Sequence, residues 1–469
     1  MPLSSEPGVE FTPAPLVVVL DVWYMIIDIL CDAEDEDQNE SRMFAKCAPC
    51  LKDLISLSST CTWLRNLLAP RIFAVLYLRN RAKSALSIKA IADGNFAGCV
   101  KELRYIADCE PGQLRSPLED VYPPEVDTVL SSLAMFTSLR TLSVDFPFDY
   151  DDFIDYFETP GFNPDHDAAM IEEAKNTWLG LITASYRAIL SSYSPDHYPA
   201  GQIPLSLNIR ELHIVPISVF STDEFHKFLS KLRSFNMSLT QWDNGVGWML
   251  NTQDVFFGFS DCLGPWFFNH LTSVEEFTFD PQYSAPLGDA GQPYAYDISL
   301  WKASMPRLRE LTLGNIYLCP ELKDFLLRHL DTLESISLRE CYSCNERGAM
   351  SWSELLSALA QKSPTRLTSF SLDWDSTQED LLYLDDRGAD PVLMAQVRTI
   401  LETKPNTGMI PFGYCYVSDK YGYSSHDSEA NRAAMVQGDD FRSYQALMAI
   451  VNLNATQPSL YLNRNSMVQ

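Results

Sequence analysis

A short apolar pattern recurs along this chain and limits what it can fold into. Its form is apolar-x-x-apolar-x-apolar. It fits Val100/Leu103/Tyr105, Leu139/Leu142/Val144, Ile209/Leu212/Ile214 and Leu232/Phe235/Met237. It fits again at Val274/Phe277/Phe279, Leu308/Leu311/Leu313, Leu333/Ile336/Leu338 and Leu367/Phe370/Leu372. In a chain that is 46% apolar, chance alone supplies such triplets at roughly one position in ten. The shared surroundings carry the argument. SMPRLRELTL, HLDTLESISL and SPTRLTSFSL each read as a helix end, a short polar turn and a strand. One such unit cannot bury its own apolar face, so neighbours must stack with their strands side by side. The pattern predicts eight strands in one largely parallel sheet.

The copies start 39, 70, 23, 42, 34, 25 and 34 residues apart. The last three intervals lie near the roughly 20–29 residues of a leucine-rich unit. The longer ones imply insertions. Pro147–Pro204, with a helix at Trp178–Tyr193, and Trp242–Trp266 are read as loops or excursions from the array. Residues 405–469 break the period. Phe412–Val417 is a candidate strand. Asp439–Leu453 is a candidate final helix with Phe441, Tyr444, Leu447, Met448 and Val451 in register and Asp439 or Asp440 as its cap.

Before residue 80 the texture differs. Residues 1–15 hold prolines, serines and a glycine and read as a flexible lead-in. Val18, Val22, Met25, Ile26 and Ile29 predict a helix over 20–30. Asp32 to Glu40 then carries six acids in nine residues, a self-repelling solvated run. A second helix is predicted over Leu51–Leu68, stopped by Pro70.

A net charge of −27 repels phosphate and argues against nucleic acid and against an anionic membrane face. Eleven cysteines in 469 residues do not form a dense disulfide framework. The stretch Leu16–Leu30 contains Asp21 and Asp28 and lacks a basic lead, so neither a membrane span nor a secretion signal is expected, and the compartment is read as cytoplasmic or nuclear. The sequons at Asn39, Asn236 and Asn454 are read as accidents of composition. No nucleophile elbow and no phosphate loop occurs. Cys47-x-x-Cys50 and Cys341-x-x-Cys344 stand almost 300 residues apart without a histidine pair. Asp165-His166-Asp167 reads as a solvated loop. The aromatic runs Phe256–Phe259 and Trp266–Phe268 read as core or loop packing rather than a binding patch. No catalytic residue, metal or cofactor is expected.

The segments VVLDVWYMIIDIL (18–30) and LKDLISLSSTCTWLRNLLAPRIFAVLYL (51–78) resemble an F-box, the helical module of ubiquitin-ligase substrate receptors. The second matches a run common in fungal F-box proteins through Leu57, Ser58, Thr60, Cys61, Leu64, Arg65, Pro70 and Phe73. The first matches the opening helix through Asp21, Val22 and Trp23. It departs in carrying Val19 where the family usually has proline, and in a twenty-residue link between the helices. Asp440, Tyr444, Leu447, Val451 and Asn454 are similar to the tail of filamentous-fungal F-box proteins with leucine-rich repeats.

The resemblance implies a fold class: α/β, a short N-terminal helical F-box-like module followed by an irregular leucine-rich-repeat solenoid with a helical C-terminal cap. The boundaries are 1–15 lead-in, 16–80 module with an acidic insertion at 31–50, 84–404 solenoid and 405–469 cap. It implies a substrate receptor that is not itself an enzyme. Val22, Trp23, Ile26, Leu57, Cys61, Leu64, Arg65, Pro70 and Phe73 would contact a Skp-type adaptor, the adaptor would join a cullin, and the repeats would hold a protein substrate. The alternative is a leucine-rich scaffold or binding protein with no ligase link.

Overall fold

The structure, a computed structural model, describes residues 49–109, 114, 116–148, 163–193, 206–240, 247–283, 285–289, 291–344, 349–374, 381–384, 388–407 and 410–456. The chain divides into two compact units, Met1–Val75 and Leu76–Gln469.

In the first unit, helix α1 (Pro49–Ser58) and helix α2 (Thr62–Ile72) form a hairpin. The single helix expected over Leu51–Leu68 is corrected to two, and hydroxyl side chains are the reason. Ser58 Oγ and Ser59 Oγ donate to the Ile55 carbonyl at 2.7 and 2.9 Å, and Thr60 Oγ1 donates to that of Leu57 at 2.8 Å. These bonds occupy the carbonyls of the last turn and compete with continuation. Cys61 is then extended, and its Sγ accepts the Leu64 N–H at 3.5 Å, a capping role usually filled by Ser or Thr. Pro70 does not stop α2. It lies in the last turn, and the helix closes with the Phe73 N–H on the Ala69 carbonyl at 2.9 Å. Leu54 and Leu68 are the core of the pair, with Leu57, Leu67 and Ile72 packed against them.

The second unit is built on nine strands: β1 Val75–Arg79, β2 Glu102–Ile106, β3 Thr141–Asp145, β4 Ser206–Leu212, β5 Ser234–Leu239, β6 Glu276–Asp280, β7 Glu310–Gly314, β8 Ser335–Arg339 and β9 Ser369–Asp373. They lie in sequence order in one sheet, and every pair from β2 to β9 is parallel. All eight segments picked out by the apolar pattern contribute a strand. In β4 the strand begins three residues before the pattern does.

Register aligns the alternating side chains into rows. Leu142, Leu207, Phe235, Phe277, Leu311 and Ile336 stand side by side on one face, and all are buried. Ser143, Asn208, Asn236, Thr278, Thr312 and Ser337 form the row between them on the other face. A slip of one residue would exchange the two rows, so burial fixes the register. Each fully buried Leu or Phe contributes about 1.5–3 kcal/mol.

The connections carry helices α3 Ala82–Ala92, α4 Pro124–Leu130, α5 His166–Lys175, α6 Thr177–Ser192, α7 Asp223–Leu229, α8 Asp254–Trp266, α9 Pro320–His329 and α10 Trp352–Gln361. Their content does not repeat. Among the described residues two helices lie between β3 and β4, a 13-residue helix precedes β6, and no helix lies between β6 and β7. A leucine-rich solenoid needs a unit of common length and shape. The sheet also draws β1 from the segment assigned to the helical module. The expected module-plus-solenoid fold is therefore corrected to an α/β fold with one nine-stranded parallel sheet interleaved with helices.

The two supposed insertions are corrected as well. Helix α6 buries Trp178, Leu181, Tyr186 and Ile189, and α8 buries Phe256, Phe259 and Leu263, so both are core elements rather than excursions. Beyond β9 come α11 (Pro391–Thr407), strands β10 (Cys415–Val417) and β11 (Ser424–His426), α12 (Ser428–Gln437) and α13 (Asp439–Thr456). Strand β10 pairs antiparallel with β11 in a separate sheet. Asp440 caps another helix: its carboxylate accepts the Ser353 N–H of α10 and the Tyr414 hydroxyl, both at 2.8 Å.

Candidate functional site

The predicted adaptor contacts divide sharply. Val22, Trp23 and Ile26 lie outside the described residues. Leu64 is buried, and Leu57, half-buried, packs against the Leu54–Leu68 core. Cys61, Arg65 and Pro70 are exposed, and Phe73 is half-buried. Ile55, which the sequence analysis did not single out, is 46% exposed on α1. Its signal was present: it falls off the Leu54/Leu57/Ser58 stripe that faces inward. Reading 51–68 as one helix hid which residues of the second half share its side.

A second surface lies on the polar face of the sheet. Arg104 Nε donates to Glu102 Oε1 at 2.6 Å, and an Arg104 guanidinium nitrogen meets the Tyr77 hydroxyl at 3.2 Å. Ser143 Oγ donates to the same Glu102 oxygen at 3.0 Å, and Asn208 Nδ2 donates to Ser143 Oγ at 3.1 Å. The result is a hydrogen-bonded ladder across four strands, set by register alone. Where strands β2 to β4 end, Asp108 pairs with Arg79 at 2.9 Å and Arg81 at 3.5 Å. Burial, then the Glu211 carboxylate, push Asp145 up to about 6, with Asp108 adding to the rise and Arg210 opposing it. This face carries mixed charge with fixed donors and acceptors.

The shift of Asp145 has a testable sign. Its folded value exceeds the ordinary 3.8, so the folded state holds its proton more tightly. The stability this contributes is complete below the unfolded value and is lost as pH rises through about 6. Asp145→Asn, which cannot ionise, should therefore be more stable than the wild type at pH 7.5, by about 1–2 kcal/mol after allowance for its partial exposure. At pH 3.5 the two should match. Urea unfolding at the two pH values checks this, and equal stability at both would refute it.

The remaining motifs resolve into structural roles. Asp165 caps α5 by accepting the Asp167 and Ala168 N–H groups, and His166 Nδ1 meets Ser221 Oγ at 3.0 Å. Among the described residues no group of three His, Cys, Asp or Glu side chains could hold a metal ion. Cys341 and Cys344 are buried thiols, while Cys47 lies outside the described residues. Phe256, Phe259, Phe267 and Phe268 are in the core, and Phe257 is exposed. No described helix is long and apolar enough to cross a membrane. Compared with protein-family models and with curated proteins, the chain matches none.

Proposed function

We propose that this chain is the substrate-receptor subunit of a Skp–cullin–F-box ubiquitin ligase. The observation that carries the reading is the helical pair 49–72. It belongs to a unit of its own, has its own small core of Leu54 and Leu68, and leaves Ile55, Cys61 and Arg65 outward. It contains the Leu57-Ser58-x-Thr60-Cys61 run that resembles the fungal module. Ile55, 46% exposed, would give a partner an apolar contact on this side of the pair. The adaptor would sit on this side of the pair and lead to the cullin. The polar face of the nine-stranded sheet would hold the protein substrate through its ladder of hydroxyls, amides and charges. Catalysis would be by proximity: a bound lysine near a ubiquitin-charged conjugating enzyme meets it at high effective concentration, and the receptor makes and breaks no bond. Such a receptor works in the cytoplasm or nucleus.

Ile55→Asp tests the site. An unpaired carboxylate forced into an apolar interface costs about 3–5 kcal/mol, so adaptor capture should weaken by roughly a hundredfold or more. Ile55 stands outside the hairpin core, so the helical circular dichroism should not change. Leu68→Asp, by contrast, should collapse the pair. Undiminished capture by folded Ile55→Asp would refute the assignment of this face.

A further inference from the structure

Strands β10 and β11 bring a thiol and an imidazole together. Cys415 and His426 are cross-strand partners, and Cys415 Sγ lies 3.2 Å from His426 Nδ1. On its other edge, β10 meets the segment that follows β8. The Ser343 N–H donates to the Gly413 carbonyl at 3.0 Å, and the Cys415 N–H donates to the Ser343 carbonyl at 2.9 Å. This is a parallel bridge between Ser343 and Tyr414. The next residue on each side is a cysteine, Cys344 and Cys415, and both enter the same buried cluster with Tyr317 and Tyr342. Bridged backbones run about 4.8 Å apart, within the roughly 4.4–6.8 Å between Cα atoms that a disulfide spans.

The two thiols differ in surroundings. Cys344 lines a cavity of 520 Å³ together with Tyr414, Asp427 and Ala430. Its sulfur accepts a hydrogen bond from Gln292 Nε2 at 2.9 Å. Cys415 is buried, and burial, then the Glu340 and Asp427 carboxylates, hold its thiol protonated. His426 is the base placed to remove that proton. The trio does not form a metal-holding group.

We propose that Cys344 and Cys415 are a redox pair that hydrogen peroxide closes into a disulfide, with Cys344 attacked first and His426 activating Cys415. The Cys344 thiolate attacks one peroxide oxygen, the O–O bond breaks, and the product is a sulfenic acid; the leaving hydroxide takes a proton to become water. His426 then accepts the Cys415 proton. The Cys415 thiolate attacks the Cys344 sulfur, the S–O bond breaks, and the departing hydroxide takes the proton back from His426 as a second water. Two thiols are oxidised and one peroxide is reduced to two waters. The bond would tie β10 to the end of β8.

The test is to treat the full chain with hydrogen peroxide, block remaining thiols by alkylation, digest without reductant and map the peptides by mass spectrometry. A linked Cys344–Cys415 peptide, reversed by dithiothreitol, is expected. Cys415→Ser should leave Cys344 as a sulfenic acid that dimedone captures, and Cys344→Ser should leave Cys415 a thiol. His426→Gln should slow closure by roughly tenfold or more while the link still forms. Absence of the linked peptide from the folded wild type, or oxidation of Cys415 in Cys344→Ser, would overturn the proposal.

Discussion

Glu321→Leu should unfold the second unit at much lower urea than the wild type, with a loss of roughly 3–5 kcal/mol. Glu321 sits in the first turn of α9 and is only 1% exposed. Its carboxylate accepts three backbone N–H groups: Ile298 at 2.8 Å, Leu300 at 2.5 Å and Trp301 at 2.9 Å. These belong to the connection between β6 and β7, which has no helix among its described residues, so one side chain supplies what secondary structure does not. Leucine fills the space but takes the acceptor from all three donors, and those of Ile298 and Leu300 are buried. The helix N-terminus adds a favourable field for the carboxylate. Burial raises its pKa while the three N–H bonds work against the rise. Glu321→Gln keeps an acceptor oxygen and should lose less. Glu310→Leu, at an exposed carboxylate, should change stability by no more than about 0.5 kcal/mol. A Glu321→Leu chain as stable as the wild type would show that the connection is held some other way.

Phe277→Ala should cost about 3–5 kcal/mol in the same assay. Phe277 stands mid-sheet in the buried row, between Phe235 and Leu311. Its ring stacks on Phe235 at 6.3 Å and meets Phe268 edge-on at 5.4 Å. Alanine would leave a cavity that strands on both sides cannot close, because each is pinned by its own ladder. Phe257, 53% exposed on α8, is the internal control, and its truncation should shift the midpoint little. Equal effects at the two positions would mean that the row does not carry the core.

The difference between these two phenylalanines shows what the sequence could and could not reveal. Strand positions were legible because the signal is local: Leu308, Leu311 and Leu313 lie within six residues, and all three are buried. The connections were not legible by the same rule. Trp178, Leu181 and Ile189 belong to a helix whose burial depends on elements distant in sequence, so the segment looked like an excursion. The break at Ser59–Cys61 escaped because the apolar stripe runs in helical register through both α1 and α2, while the hydroxyl bonds that end α1 leave no periodic mark. The fold class failed for a related reason. An apolar triplet reports a strand with one buried face, and it carries no information on whether the intervening chain repeats. The polar ladder from Arg104 to Asn208 and the approach of Cys344 to Cys415 arise from pairing between strands, which no single segment encodes.

The proposed function turns on whether the helical pair meets an adaptor. Calorimetric titration of the full chain with a purified Skp-type adaptor is the most direct measurement. Saturable one-to-one binding at micromolar affinity or tighter, abolished by Ile55→Asp with the unfolding transition of the sheet unit unchanged, is the predicted result. A folded wild-type chain that shows no binding at micromolar concentrations would contradict the ligase assignment.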